Sequence, residues 1–138
     1  MIKGAIGVVA VAALVAACGL FGKSDRTNDR FVQPGQPKMS PSGSYTALAD
    51  HGPEENGVAT WVAVIQDKFG KEVFRDTETY STRHGVGITW LSNTDQLWLL
   101  SSDVGTAHVD RNPDGTWTKT WMNPQTVKDI PAEIKASG

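Results

Sequence analysis

The chain has 138 residues, 39% of them hydrophobic, and a formal charge of −2 from 13 basic and 15 acidic side chains. That length admits one domain rather than two, and the charge balance supplies no basic field to hold nucleic acid. A single cysteine excludes a cysteine cluster of the metal-binding kind.

At the N-terminus, Met1 to Lys3 form a positive start, residues 4–14 are apolar, and the small residues Val15, Ala16 and Ala17 stand directly before Cys18. These are the three parts of a secretory signal. The ending Val15-Ala16-Ala17-Cys18 resembles the lipobox of bacterial lipoproteins. The resemblance implies cleavage between Ala17 and Cys18, acylation of Cys18, and a domain tethered to the cell membrane or outer membrane on its extracytoplasmic side. One acyl chain holds a protein only marginally, at roughly 0.8 kcal/mol per buried methylene; in that family the thiol carries a diacylglycerol, which supplies two. The alternative is one uncleaved membrane helix over residues 2–21. The clean apolar stretch, 4–17, is shorter than the ~20 residues a span requires, and Gly19 and Gly22 follow it. In both readings the folded part lies outside the cytoplasm.

Residues 18–42 read as the acylated cysteine and a flexible linker. Residues 24–30 are polar and aperiodic, and Pro34, Gly35 and Pro37 add breakers. A coil of ~24 residues has an end-to-end distance of roughly 25–30 Å. Phe31 and Val32 are isolated apolar residues that the composition assigns to the exposed linker.

From residue 43 to 122 the pattern changes to short runs rich in β-branched and aromatic residues: 44–49, 58–66, 71–76, 86–92, 96–101, 106–111 and 116–121. Seven runs at spacings near ten residues predict an all-β domain, an antiparallel meander forming a small sandwich or barrel-like sheet. Asp67-Lys68-Phe69-Gly70 and Asn112-Pro113-Asp114-Gly115 have the chemistry of hairpin turns with glycine in the left-handed position, and Ser92-Asn93-Thr94-Asp95 is a third turn. Both faces of 58–66 are apolar, so that strand is expected at the centre of a sheet. In 116–121, strict alternation puts Trp117, Lys119 and Trp121 on one face, so Lys119 is expected to snorkel or sit at an edge.

Residues 90–105, with Trp90, Trp98 and the turn at Asp103-Val104-Gly105, are similar to the strand and turn rhythm of a WD40-like or TolB-like propeller blade. Pro41-Ser42-Gly43-Ser44-Tyr45 echoes the step that opens such repeats. A complete propeller requires four or more four-stranded blades, which this chain is too short to supply.

No nucleophile elbow, phosphate loop or zinc-protease helix occurs, and no cofactor is expected. His84 and His108 flank the strands around Trp90 and Trp98 and could, with Asp103 or Asp110, converge on a metal, although any chain with a few histidines and aspartates offers such combinations. Arg83-His84-Gly85 and Ser102-Asp103-Val104-Gly105 lie between predicted strands and combine charge with glycine. They read as a recognition loop, or as turn-capping groups with a surface ion pair. Of the five tryptophans, Trp61, Trp90 and Trp98 fall in the most apolar runs and are expected in the core. Trp117 and Trp121 lie among threonines and lysine, and form either an exposed aromatic stripe or a packed edge.

Residues 123–138 read as a tail with short helical pieces starting at Asn123-Pro124 and Ile130-Pro131, with Val127, Ile130 and Ile134 as the apolar stripe. Taken together, these features describe a lipid-anchored module that binds a protein or glycan at the envelope, with Arg83, His84, Asp103, Trp117 and Trp121 as the candidate interface and no catalysis. A blocking lipoprotein (inhibitor, immunity or exclusion factor) is a specialised form of this expectation. A hydrolase or metal enzyme built on His84, His108 and Asp103 is the least supported alternative.

Overall fold

Alternation decides the layers. A computed structural model of the chain describes residues 30–137; the signal segment, Ala17, Cys18 and the linker through residue 29 lie outside the described residues. Within Phe31–Gly138, β1 (Lys38–Met39), β2 (Tyr45–His51), β3 (Thr60–Asp67), β4 (Glu72–Arg75) and β5 (Tyr80–Ser81) form one antiparallel sheet. A second, four-stranded sheet runs in chain order through β6 (Val86–Trp90), β7 (Gln96–Ser101), β8 (Gly105–Arg111) and β9 (Trp117–Trp121). Each of the seven predicted runs is a strand; the second sheet is a meander, and the first is one through β4, after which β5 returns to pair with β3. The sheets pack as a sandwich, and among the described residues there is no closed barrel and no propeller-type closure.

Ala47, Ala49, Ala63, Ile65 and Tyr80 of the first sheet share one buried cluster with Ile88, Trp90, Leu97, Leu99 and Val109 of the second. The three alanines of the first sheet leave room for large side chains of the second, while Ile65 and Tyr80 fill the core from the first sheet itself. β3 is central as expected, paired with β2 on one edge and with β4 and β5 on the other. At the hairpin turns, Gly70 (φ 84°) and Gly115 (φ 92°) occupy the left-handed region. Asp67 Oδ1 accepts from the N–H groups of Phe69 and Lys71, both at 2.9 Å, which fixes the first turn.

The packed chain begins earlier than composition implies. Val32 is buried and its N–H donates to the Ile88 carbonyl at 2.8 Å, the Lys38 carbonyl accepts from Trp90 Nε1 at 2.9 Å, and β1 pairs with β2. Residues 31–42, read as linker, are therefore part of the sandwich. Backbone hydrogen bonds to both sheets hold a segment whose side chains alone could not.

The tryptophans divide differently from expectation. Trp90 is in the shared core and Trp61 packs half-buried at its border. Trp98 is buried on the opposite face of its sheet, against His108 with ring centroids 4.9 Å apart, its Nε1 donating to Gln96 Oε1 at 2.7 Å. The C-terminal segment runs onto that outer face. Asn123 Oδ1 accepts from the N–H groups of Gln125 and Thr126, a 3₁₀ turn spans Val127–Asp129, and extended Ile130 precedes Pro131 and the helix α1 (Ala132–Ser137). Ile134 is buried, whereas Val127 is 50% exposed and takes no part in the stripe.

On the edge strand β9, Trp117, Lys119 and Trp121 do share the inward face, but Lys119 does not snorkel to water. Its Nζ lies 2.7 and 2.9 Å from the two oxygens of Asp76 and 2.9 Å from Tyr80 Oη. The Asp76 side chain is 0% exposed and that of Lys119 only 13%, and the Tyr80 hydroxyl donates to Asp76 at 2.6 Å. Lys119→Met leaves this carboxylate buried without a counter-charge and is expected to cost about 3–5 kcal/mol. Adding Asp76→Asn is expected to restore about half of that loss in urea denaturation.

Burial, then the hydrogen bond to Asp76, pushes the Tyr80 phenol above its ordinary range. Its folded-state pKa exceeds the unfolded value of about 10, so the associated stability is fully present below pH ~10 and is lost as pH rises further. Urea midpoints measured between pH 8 and 11 should therefore fall more steeply for the wild type than for Tyr80→Phe.

Candidate functional site

The register Val86↔Ser101↔Gly105 brings the start of β6, the end of β7 and the start of β8 to one end of the second sheet. Ser101 shapes the turn there, its Oγ accepting from the N–H groups of Asp103 and Val104, each at 3.1 Å. The loop after β5 is fastened to this turn by two bonds: Gly85 N–H donates to Ser102 Oγ at 3.0 Å, and Ser102 N–H to the Gly85 carbonyl at 3.1 Å. Further back, Thr82 holds the Ala59 carbonyl through both its N–H and its hydroxyl.

A third loop closes the end. Glu55 and Val58 exchange backbone hydrogen bonds around Asn56 (φ 54°) and Gly57 (φ 78°), a two-residue hairpin that needs positive φ at both central positions. Thr79 donates to Glu55 at 2.7 Å and ties this hairpin to the chain entering β5. Between the three loops lies a cavity of about 160 Å³ lined by Glu55, Asn56, Arg83, His84 and Asp103 among others.

His84 Nε2 stands 3.9 Å from Asp103 Oδ1, with both side chains nearly half exposed. A pair so wetted contributes little to stability. Arg83 is held through its backbone N–H, which donates to Ser81 Oγ at 3.3 Å. A guanidinium, an imidazole and an amide thus share a small concavity with two carboxylates, a set suited to a ligand rich in polar groups of both kinds.

Trp121 belongs to the same end. It is 39% exposed next to the turn of Val104, itself 40% exposed, and a methyl group at Gly105 would meet its ring at 3.8 Å. Lys119 Nζ lies 4.1 Å from the centroid of the indole, which fixes the ring through a cation–π contact. Trp117 does not join this group. Its ring centroid is 5.0 Å from that of Tyr45 and 6.4 Å from that of Trp90, inside the sandwich, and its Nε1 is buried without a hydrogen-bond partner among the described residues.

Of the sequence-derived candidates, Arg83, His84, Asp103 and Trp121 therefore gather at one end, and Trp117 packs elsewhere. His84 and His108 do not converge: His108 pairs with Asp110 on the outer face of the second sheet, where Gln96 also donates to Asp110 at 2.7 Å. No group of three or more His, Cys, Asp or Glu placed to hold a metal ion occurs among the described residues. Glu55 and Asn56 complete the cavity, and the unread signal for them is the dipeptide Asn56-Gly57, a strong short-range hairpin marker. No helix among the described residues is long and apolar enough to cross a membrane. Comparison with known proteins finds no matching family model, curated protein or solved structure.

Arg83, His84 and Asp103 carry little of the fold through their side chains, so Arg83→Ala, His84→Ala and Asp103→Asn should each change stability by no more than about 0.5 kcal/mol. Urea denaturation of the three variants checks this, and a larger loss at any of them would make that residue structural.

Proposed function

We propose that the chain is a lipid-anchored binding module of the bacterial cell envelope, exported by residues 1–17, acylated at Cys18, and facing the extracytoplasmic side. Its loop end recognises a protein or glycan, without catalysis. The observation that carries this reading is the gathering of Arg83, His84, Asp103 and Trp121 around one turn, with charged side chains that are exposed. Exposed tryptophan and arginine beside a small polar hollow are the anchors expected of a recognition surface. The acyl anchor rests on the lipobox-like run ending in Ala17-Cys18.

Crosslinking in intact cells, followed by affinity recovery and mass spectrometry, tests both parts. A specific partner recovered with the wild type, lost with Trp121→Ala or Arg83→Ala and retained with Trp117→Phe, is the expected result. Cys18→Ser should leave the membrane fraction. Equal membrane association of Cys18→Ser and wild type overturns the acyl anchor, and capture unaffected by Trp121→Ala and Arg83→Ala overturns the interface.

A further inference from the structure

The end of the sandwich opposite the cavity carries the most exposed large apolar side chain among the described residues. β3 starts at Thr60, paired with Ser81 of the cavity lining, and ends at Asp67, where the turn to β4 begins. Its eight residues, at ~3.3 Å each, put roughly 26 Å between the two ends. Phe69, in that turn, is 84% exposed. Met39 is 66% exposed at the same end, aligned through the register Met39↔Thr46↔Gln66 with the last residues of β3. The bonds from the Phe69 and Lys71 N–H groups to Asp67 fix the backbone of the turn, so the ring is carried on an ordered tip.

Two cations flank the ring. Lys68 and Lys71 are exposed, and Lys68 Nζ lies 5.7 Å from the centroid of Phe69. The neighbouring carboxylates are engaged elsewhere: Asp67 by the turn, and Glu72 by Arg75, whose guanidinium donates to it at 2.9 and 3.0 Å. Neither lysine has an ion-pair partner among the described residues. A convex tip with an aromatic ring between two amines suits a bilayer interface, where the ring sits at headgroup level and the ammonium groups meet lipid phosphates.

The length of chain before the sandwich bears on the same point. Twelve residues, 18–29, stand between the acylation position and the described chain. They span at most about 43 Å, more than the roughly 26 Å of β3. An acyl anchor at Cys18 therefore leaves the tip within reach of the bilayer and raises its local concentration there, so that one ring and two cations suffice. We propose that the Lys68-Phe69-Gly70-Lys71 tip rests on the anionic bilayer to which the chain is anchored, Phe69 entering the interface and Lys68 and Lys71 meeting lipid phosphates. This docking rests on the acyl anchor at Cys18, and it turns the end that carries Arg83, His84 and Asp103 away from the membrane.

The test uses the full chain in its own membranes, with photoreactive p-benzoylphenylalanine in place of Phe69 or, at the opposite end, of Val104. Adducts formed on illumination are identified by mass spectrometry. Phospholipid adducts are expected at position 69 and not at position 104. Lys68→Gln together with Lys71→Gln should lower the lipid adduct at 69 roughly tenfold, the size expected of two surface cations partly screened at physiological salt. A membrane-bound chain with no lipid adduct at 69, with equal lipid adducts at both positions, or with an unchanged yield in the double variant overturns the docked tip and leaves the anchor standing. Wild-type chain recovered in the soluble fraction overturns both.

Discussion

The carboxylate of Asp76 is the point through which the two sheets of this sandwich are joined on their far side. It follows β4, its N–H is bonded to the Ala63 carbonyl, and it takes the Lys119 ammonium and the Tyr80 hydroxyl from different directions. A buried carboxylate with so few alternatives enforces one arrangement of its neighbours more than it adds net stability. Because Lys119 must point inward to reach it, Trp117 and Trp121 must also point inward. Because Tyr80 must reach it, the chain leaves β5 in the direction that delivers Ser81 through His84 to the loop end. The core and the candidate site therefore depend on the same charged group.

What the sequence discloses about this fold follows from the range of each interaction. Alternation over five to eight residues is a local signal, and it located every strand long enough to show it, together with the central position of β3 and the turns at Gly70 and Gly115. β1 and β5 contain two residues each, too few for any period, and exist only because β2 and β3 offer edges to them. Val32 looks like an isolated hydrophobe until Ile88 is placed beside it. The same holds for the late tryptophans: their spacing puts both on one face, but whether each is covered depends on Tyr45 and Gly105, which are distant in the chain.

The candidate site was legible in part for a similar reason. Charged residues flanking glycines between strands mark loops, and Arg83, His84 and Asp103 line one cavity, with His84 3.9 Å from Asp103. This placement is fixed by the reciprocal bonds of Gly85 and Ser102, an arrangement no local pattern encodes. In the sequence Lys119 is an anomaly on an apolar face; its explanation lies 43 residues away in Asp76, a separation at which sequence spacing is silent.

The course of residues 31–39 bears on how the domain answers a pull from its N-terminal end. Val32 holds the second sheet by one backbone bond, and β1 holds the first over a two-residue pairing; Lys38 adds one bond to an indole. Apart from the buried Val32 side chain, such attachments lie one after another along the chain rather than side by side, so under tension they would be loaded in turn, as in a mechanical fuse. Paid out fully, nine residues give roughly 30 Å of extension before load reaches the ladder between β2 and β3, where seven residue pairs share it.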